Sequence, residues 1–378
     1  MNRKLRGALA ALGVAGLASV TAVLGLGASS SAASPSTARA SAVPSWCGPK
    51  KITLALADGF GDNNWRQITT ENARVEAAEC PSVTKFVYTD GQGNTQKAIS
   101  DIQGLVAQGI SAMVDFPDAG PAMLPALTQA YKAGVVTVPY RVTPGGKAGV
   151  NYNYFISTNF TAAGVLWGKW LVKALPHGGN VVNLGGPPAN SQSLEEYQGM
   201  QSVLKSHPNI KFVGQTPYNV TNWDAAQTQK VITALLAKYP KIDAITTDFG
   251  AALASSFGAF KQAGRKVPAV ATEDSNLLSC DRKSMLATDP GFKLFTVDSQ
   301  NWMVRAAVDF AVAKASGGTL PSSTVVPQLA FEDSLSGKPN RPICNASLPG
   351  TAFISSLQTS IVKDRLTVAQ EKKALGVK

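Results

Sequence analysis

Histidine is almost missing from this chain: only His177 and His207 occur in 378 residues. Both fall in connections, beside Gly178-Gly179 and Pro208, so a histidine-based triad or a zinc site has little material. Cysteine is scarce too. Four in this length cannot build a disulfide-dense scaffold, and no C-x-x-C spacing points to a metal or redox centre. There is no G-x-S-x-G elbow, H-E-x-x-H, P-loop or complete G-x-G-x-x-G, and Gly59-Phe60-Gly61 is only a turn-forming fragment. A glycosidase needs two carboxylates across a cleft. Asp58, Asp115, Glu196 and Asp274 supply acids, but nothing in their spacing fixes a separation. Beyond residue 46 no run reaches the 18 apolar residues of a membrane span. A continuous basic stripe is lacking as well. The formal charge of +11 includes Arg3, Lys4, Arg6 and Arg39, and the other Lys and Arg are scattered without the interleaved aromatics of a phosphate-binding surface. Nucleic acid is excluded as a partner.

What is present is ordinary for a globular protein: 44% hydrophobic and 16% charged residues, a length of about two domains, each large enough to bury a core. The N-terminus reads as an export address. Asn2 to Arg6 is a basic n-region, Gly7 to Gly27 is apolar and rich in small residues, and A-x-A-like sites follow near Ala32-Ala33 and Ala40-Ala42. The alternative is an uncleaved anchor over Ala8–Leu26. Val43-Pro44-Ser45-Trp46 lacks the small residues that precede a lipidated cysteine, so Cys47 is not read as a lipid site. Residues 1–42 are set apart as signal peptide and flexible segment, and the protein is expected to be exported, into the cell envelope or beyond.

Past residue 50 a short apolar run, a turn-forming loop and a helix-like stretch follow one another repeatedly. Strands are expected at Ile52–Ala57, Phe86–Tyr88, Ala112–Phe116 and Val135–Pro139, and in a second half at Asn180–Leu184, Ile210–Gln215, Ile242–Thr247, Val267–Thr272 and Leu294–Asp298. Helices are expected at Trp65–Cys80, Thr95–Gln108, Ala122–Ala133, Val165–Leu175, Ser193–Ser206, Ala225–Lys238 and Ala251–Ala263. Continuous apolar strands spaced by helices mean parallel sheets covered on both faces. The predicted fold is α/β, two doubly wound parallel-sheet lobes, with ligand outside the C-terminal strand ends in the cleft between them.

The cysteines fit this geometry. A strand of about seven residues runs about 23 Å one way, and a helix of about sixteen returns about 24 Å, which brings Cys80 beside Cys47. Cys280 and Cys344 are then left to pair.

Ile52–Ala57, Asn63-Asn64-Trp65, Tyr88-Thr89-Asp90-Gly91-Gln92-Gly93-Asn94, Ala98–Gly109 with Ala112–Pro117, Val138-Pro139-Tyr140-Arg141 and Asn222-Trp223-Asp224 occur in an order that resembles the type I periplasmic sugar-binding proteins, the ribose-binding group. The resemblance runs from about Lys50 to Leu329. It implies an exported solute-binding protein of an ABC importer that closes on a small sugar, needs no cofactor or metal, works as a monomer and docks on a membrane permease. A sensory module that signals through a membrane receptor is the alternative. The resemblance also implies a three-crossing hinge near Ser157, Gln300 and Val326. The first lobe is then 47–157 plus 300–326, and the second 158–299 plus 327–378. Phe331 to Lys378 runs past the family's usual end and has no analogue in it.

Sugars present hydroxyl edges and apolar C–H faces, so their sites combine charged or amide groups with flat rings. On the matching positions, Asp58, Asn64 and Trp65 open the first cleft loop, and Arg141 is the forked donor that can bridge two hydroxyls. Tyr140 replaces the family's frequent Asp. In the second lobe Glu196 reverses the charge of a family arginine, Trp223 is a stacking ring, and Asp248-Phe249 stands where the family has an Asn-Asp pair. Asp274, with Glu273 beside it, and Gln300 complete the expected set.

Overall fold

Each short apolar run becomes a strand, and each following stretch becomes a helix laid across it. The computed structural model describes residues 43–61, 63–336, 343–354 and 366–377; the export segment read from residues 1–42 lies outside them. The first sheet contains β1 (Ile52–Asp58), β2 (Val83–Asp90), β3 (Ala112–Phe116) and β4 (Val136–Pro139), all parallel, in the order β2-β1-β3-β4. Alternate residues of β1 feed opposite faces. Leu54 and Leu56 pack with Trp65 and Ile68 of α1 (Asn64–Ala78), whereas Ala55 and Ala57 meet Ile102 and Leu105 of α2 (Thr95–Ala107) and Leu127 of α3 (Leu124–Lys132). A strand buried on both faces has no polar side to show, which is why its sequence is a continuous apolar run.

The second sheet is built from β5 (Gly179–Gly185), β6 (Ile210–Val213), β7 (Asn219–Val220), β8 (Ala244–Thr247), β9 (Ala269–Glu273), β10 (Leu294–Val297) and β11 (Ala330–Asp333), in the order β11-β10-β9-β8-β5-β6 with β7 also on β5. Its helices are α4 (Phe160–Ala174), α5 (Ser191–Leu204), α6 (Ala225–Lys238), α7 (Gly250–Ser255), α8 (Phe257–Gln262) and α9 (Asn276–Met285). Two details depart from expectation. The single helix expected over Ala251–Ala263 is broken at Ser256, whose hydroxyl donates back to the Ala252 carbonyl and bends the chain. The second sheet is not all parallel either, because β11 pairs antiparallel with β10 at the edge. Elsewhere close packing fixes the helices. Gly199 of α5 lies so near α4 that a Cβ there would stand 2.1 Å from the Thr161 carbonyl oxygen, so only glycine fits.

At one waist, three of the described segments pass between the sheets. After β4 the chain crosses at Ser157, after β10 it crosses back at Gln300 into α10 (Met303–Ser316) on the first sheet, and it returns through Val326 to β11. The crossings are tied side by side. The Ser157 amide donates to Thr324 O at 3.0 Å and its carbonyl accepts from Val326 N at 2.8 Å, while Gln300 Nε2 donates to Pro327 O at 2.9 Å. Such a narrow waist of backbone bonds is a place for the sheets to hinge.

Cys47 bridges Cys80, and Cys280 bridges Cys344. The chain end behaves differently from the sequence reading, which gave 327–378 wholly to the second lobe. β11 joins the second sheet, but α11 (Val368–Ala374) packs on α1 of the first. Replacing Cys47 and Cys80 with Ser removes the closure of a loop with a sequence separation of 33. We expect a loss of about 3–4 kcal/mol in denaturant unfolding under oxidising conditions.

Candidate ligand-binding site

The C-terminal ends of both sheets face one another across a cavity lined by ten residues. Every one of them sits at a strand end or at the start of the next helix, the position that doubly wound sheets offer to ligands. From the first sheet come Asn63, Trp65 and Arg66 at the mouth of α1, Phe116 at the end of β3, and Arg141 just after β4. The second sheet contributes Gln192, Trp223, Asp248, Phe249 and Glu273. Two larger clefts adjoin the cavity and share its Trp223.

Arg141 joins the two sheets. Its Nε donates to Gln192 Oε1 at 3.0 Å, and its terminal nitrogens reach Glu273 Oε1 at 2.5 Å and the Ser299 carbonyl at 3.3 Å. The guanidinium lies 4.8 Å from the centre of the Trp65 ring. Arg141 and Trp223 hold left-handed backbone, with φ of 64° and 55°, as does Gln300 at 52°. None of these side chains favours that region, and each costs about 1–3 kcal/mol unless the surroundings impose it. Such strain concentrates at functional sites.

A second arginine was not anticipated. Arg66, 2% exposed, pairs with Asp58 at 3.0 Å and Asp118 at 2.5 Å, and lies 3.3 Å from the centre of the Phe116 ring. Burial raises the Asp118 carboxyl to about 7, although Arg66 pulls it down. Burial likewise lifts Glu273 to about 8 against the pull of Arg141, and raises Asp248 and Glu196. Ser193 Oγ and the Trp223 indole hydrogen-bond Asp248, yet its Oδ1 is buried without a partner among the described residues. The Trp223 indole lies on Gly186, where a Cβ would approach the ring to 2.4 Å. The wall is thus apolar rings on several sides with acceptors and forked donors between them.

Of the residues expected from sequence, Trp65, Arg141, Trp223, Asp248 and Phe249 line the cavity. The others stand elsewhere. Asn64 instead lines an adjoining cleft and donates to the Thr351 carbonyl, because one helical step carries it about 100° from its neighbour Asn63, which does face the cavity. Asp274 also points away, its Oδ1 accepting from Ser299 N at 2.8 Å, while Glu273 takes the inner position as strand alternation requires. Gln300 stands at one of the crossings between the sheets and donates to the Pro327 carbonyl. Asp58 lies beneath Arg66, Tyr140 is buried edge-on against Phe116, and Glu196 sits behind Gln192, accepting from its amide at 3.3 Å. Asn63, Arg66, Phe116 and Gln192 were missed. The signal available for Phe116 was its place as the last residue of a central strand.

The sequence profile of the periplasmic binding protein domain matches residues 56–319. Among curated proteins, the D-xylose-binding periplasmic protein of Escherichia coli is 26% identical over 240 residues, 62% of this chain and 70% of that protein. The D-apiose import binding protein of Paraburkholderia graminis is 25% identical over 194 residues, 51% of this chain and 59% of that one. A Caulobacter myo-inositol binding protein solved with myo-inositol superposes with a TM-score of 0.65 at 22% identity, covering 76% of this chain and 94% of its own. An ABC transporter solute binding protein from Thermobispora bispora gives 0.63 at 22% identity, covering 87% and 97%. At these identities the structural matches speak to the fold.

The buried carboxyls make stability depend on pH. Glu273 titrates near 4.5 unfolded and at about 8 folded, so the folded form binds its proton more tightly. The stabilisation this supplies is complete below 4.5 and disappears as pH rises through 8. Relative to Glu273→Gln, the ligand-free wild type is expected to lose thermal stability progressively across that window. Parallel melting curves against pH would contradict this.

Proposed function

The chain belongs to the periplasmic binding protein family, and from that premise we propose that it captures a small, neutral, polyhydroxylated ligand, a monosaccharide or sugar alcohol, and delivers it to an ABC importer. The family is one of binding proteins rather than enzymes. The observation that carries the ligand reading is the cavity wall itself, with Trp65, Phe116, Trp223 and Phe249 as flat faces and Arg141, Gln192, Asp248 and Glu273 between them. Rings cover C–H faces, and the polar groups between them suit adjacent hydroxyls. The named relatives bind xylose and apiose, which supports the same class.

Closure is the working step. The ligand bridges residues of both sheets, and the hinge at Ser157, Gln300 and Val326 shifts the population towards the closed form. The closed form then presents both lobes to a membrane permease on the outer side. A receptor that reads the same closed form would make the protein a sensor.

Thermal denaturation against pentoses, hexoses, sugar alcohols, disaccharides, nucleosides and amino acids tests the class. One sugar or sugar alcohol should stabilise the fold by about 2.7 kcal/mol at a hundredfold excess over its Kd, without being turned over. Stabilisation by a nucleoside or an amino acid alone would overturn the sugar reading. With the ligand known, Arg141→Ala should weaken binding by about 2–5 kcal/mol in titration calorimetry, because Glu273 and the ligand both lose their partner.

A further inference from the structure

The chain after β11 touches both lobes within four residues. The Gly350 and Ala352 carbonyls accept from Leu277 N at 2.9 Å and Asn276 N at 2.8 Å, the first amides of α9 in the second lobe. The Thr351 carbonyl between them points the other way and accepts from Asn64 Nδ2 on α1 of the first lobe. Pro349 to Ala352 form a tight turn, with Ala352 N donating to Pro349 O at 3.0 Å, so one short stretch binds two partners at once.

Each end is anchored. On the second lobe Asn276 Nδ2 donates to the carbonyls of Asn345, Leu348 and Pro349 at 3.0–3.1 Å, its Oδ1 accepts from Asn345 N, and Cys280–Cys344 adds a covalent staple. On the first lobe Phe353 and Leu366 are buried in the α1–α10 core, with Ala374 and Leu375 packed against it. Phe353 N donates to Glu371 at 2.7 Å, and Lys373 pairs with Glu71 of α1 at 3.2 Å. Both feet stand next to the ligand site. α1 opens with Asn63, Trp65 and Arg66, and α9 begins three residues after Glu273. Gly350, Thr351 and Leu375 also wall one of the clefts adjoining the cavity.

We propose that residues 343–354 and 366–377 form a clasp between the lobes, which holds the sheets together around the ligand site and must yield at its α1 foot before the hinge can open. The disulfide keeps the α9 foot in place, so hydrogen bonding and apolar packing on α1 are what opening breaks. The clasp thereby raises the closed population before any ligand arrives and slows exchange through that side of the cleft.

The inference rests on the hinge-closure reading, but its test uses no ligand, so its failure leaves the ligand class untouched. Small-angle scattering of the full, oxidised, ligand-free chain would compare wild type with Leu375→Asp, Asn64→Ala and the Cys280→Ser/Cys344→Ser pair, after circular dichroism has shown each to be folded. Wild type should be compact, and the variants should gain about 1 Å in a radius of gyration of roughly 20 Å. Should Leu375→Asp not fold, the exposed Asn64→Ala change and the cysteine pair decide. A wild type that is already open, or variants that scatter as wild type does, would overturn the clasp.

Discussion

A buried arginine ties the two sheets together across the cavity. Arg141 is 4% exposed, stands on left-handed backbone, and finds its acceptors Gln192 and Glu273 in the opposite lobe. A guanidinium withdrawn from water repays its desolvation only when its partners are close and well aligned. In this arrangement Arg141 is satisfied from the opposite lobe, and if the sheets separated, water would have to take the place of Glu273. The same geometry offers a ligand a forked donor that is already aimed, so less ordering remains to be done on binding.

Arg66 plays the opposite part. Asp58, Asp118 and Phe116 all belong to the first lobe, so its pairing survives any hinge motion and keeps one wall rigid. The site thus combines a fixed arginine with one whose pairing depends on closure. Around them carboxylates outnumber guanidiniums, and burial raises Asp58, Asp115, Glu196 and Asp248 as well as Asp118 and Glu273.

The layered fold was legible because burial on both faces leaves its mark on every strand, and because Asn63, Asn94, Asn159 and Asp224 cap the helices where turn-forming residues stand in the sequence. The neighbourhood of the cavity was legible to within about one residue: Asn63, next to the expected Asn64, and Glu273, read as the neighbour of Asp274, line it, since a motif gives the neighbourhood of a strand end but not the phase at which helix or strand resumes. One step is about 100° on a helix and half a turn on a strand, enough to exchange cavity for exterior. Arg66 was passed over because an arginine in the first turn of a helix reads as surface charge. Its burial depends on Asp118, which is 52 residues away.

By itself the sequence determined the alternation of elements, the two largely parallel sheets, the pairing of Cys47 with Cys80, and the strand ends where the cavity lies, because each follows from local periodicity and the fixed rise of helix and strand. Tertiary structure alone decided which member of each adjacent pair faces the cavity, that the chain end reaches back from α9 to α1, and that Arg141 meets Glu273 across the cleft. Those outcomes depend on side-chain phase and on contacts between residues more than a hundred positions apart, which no local pattern encodes.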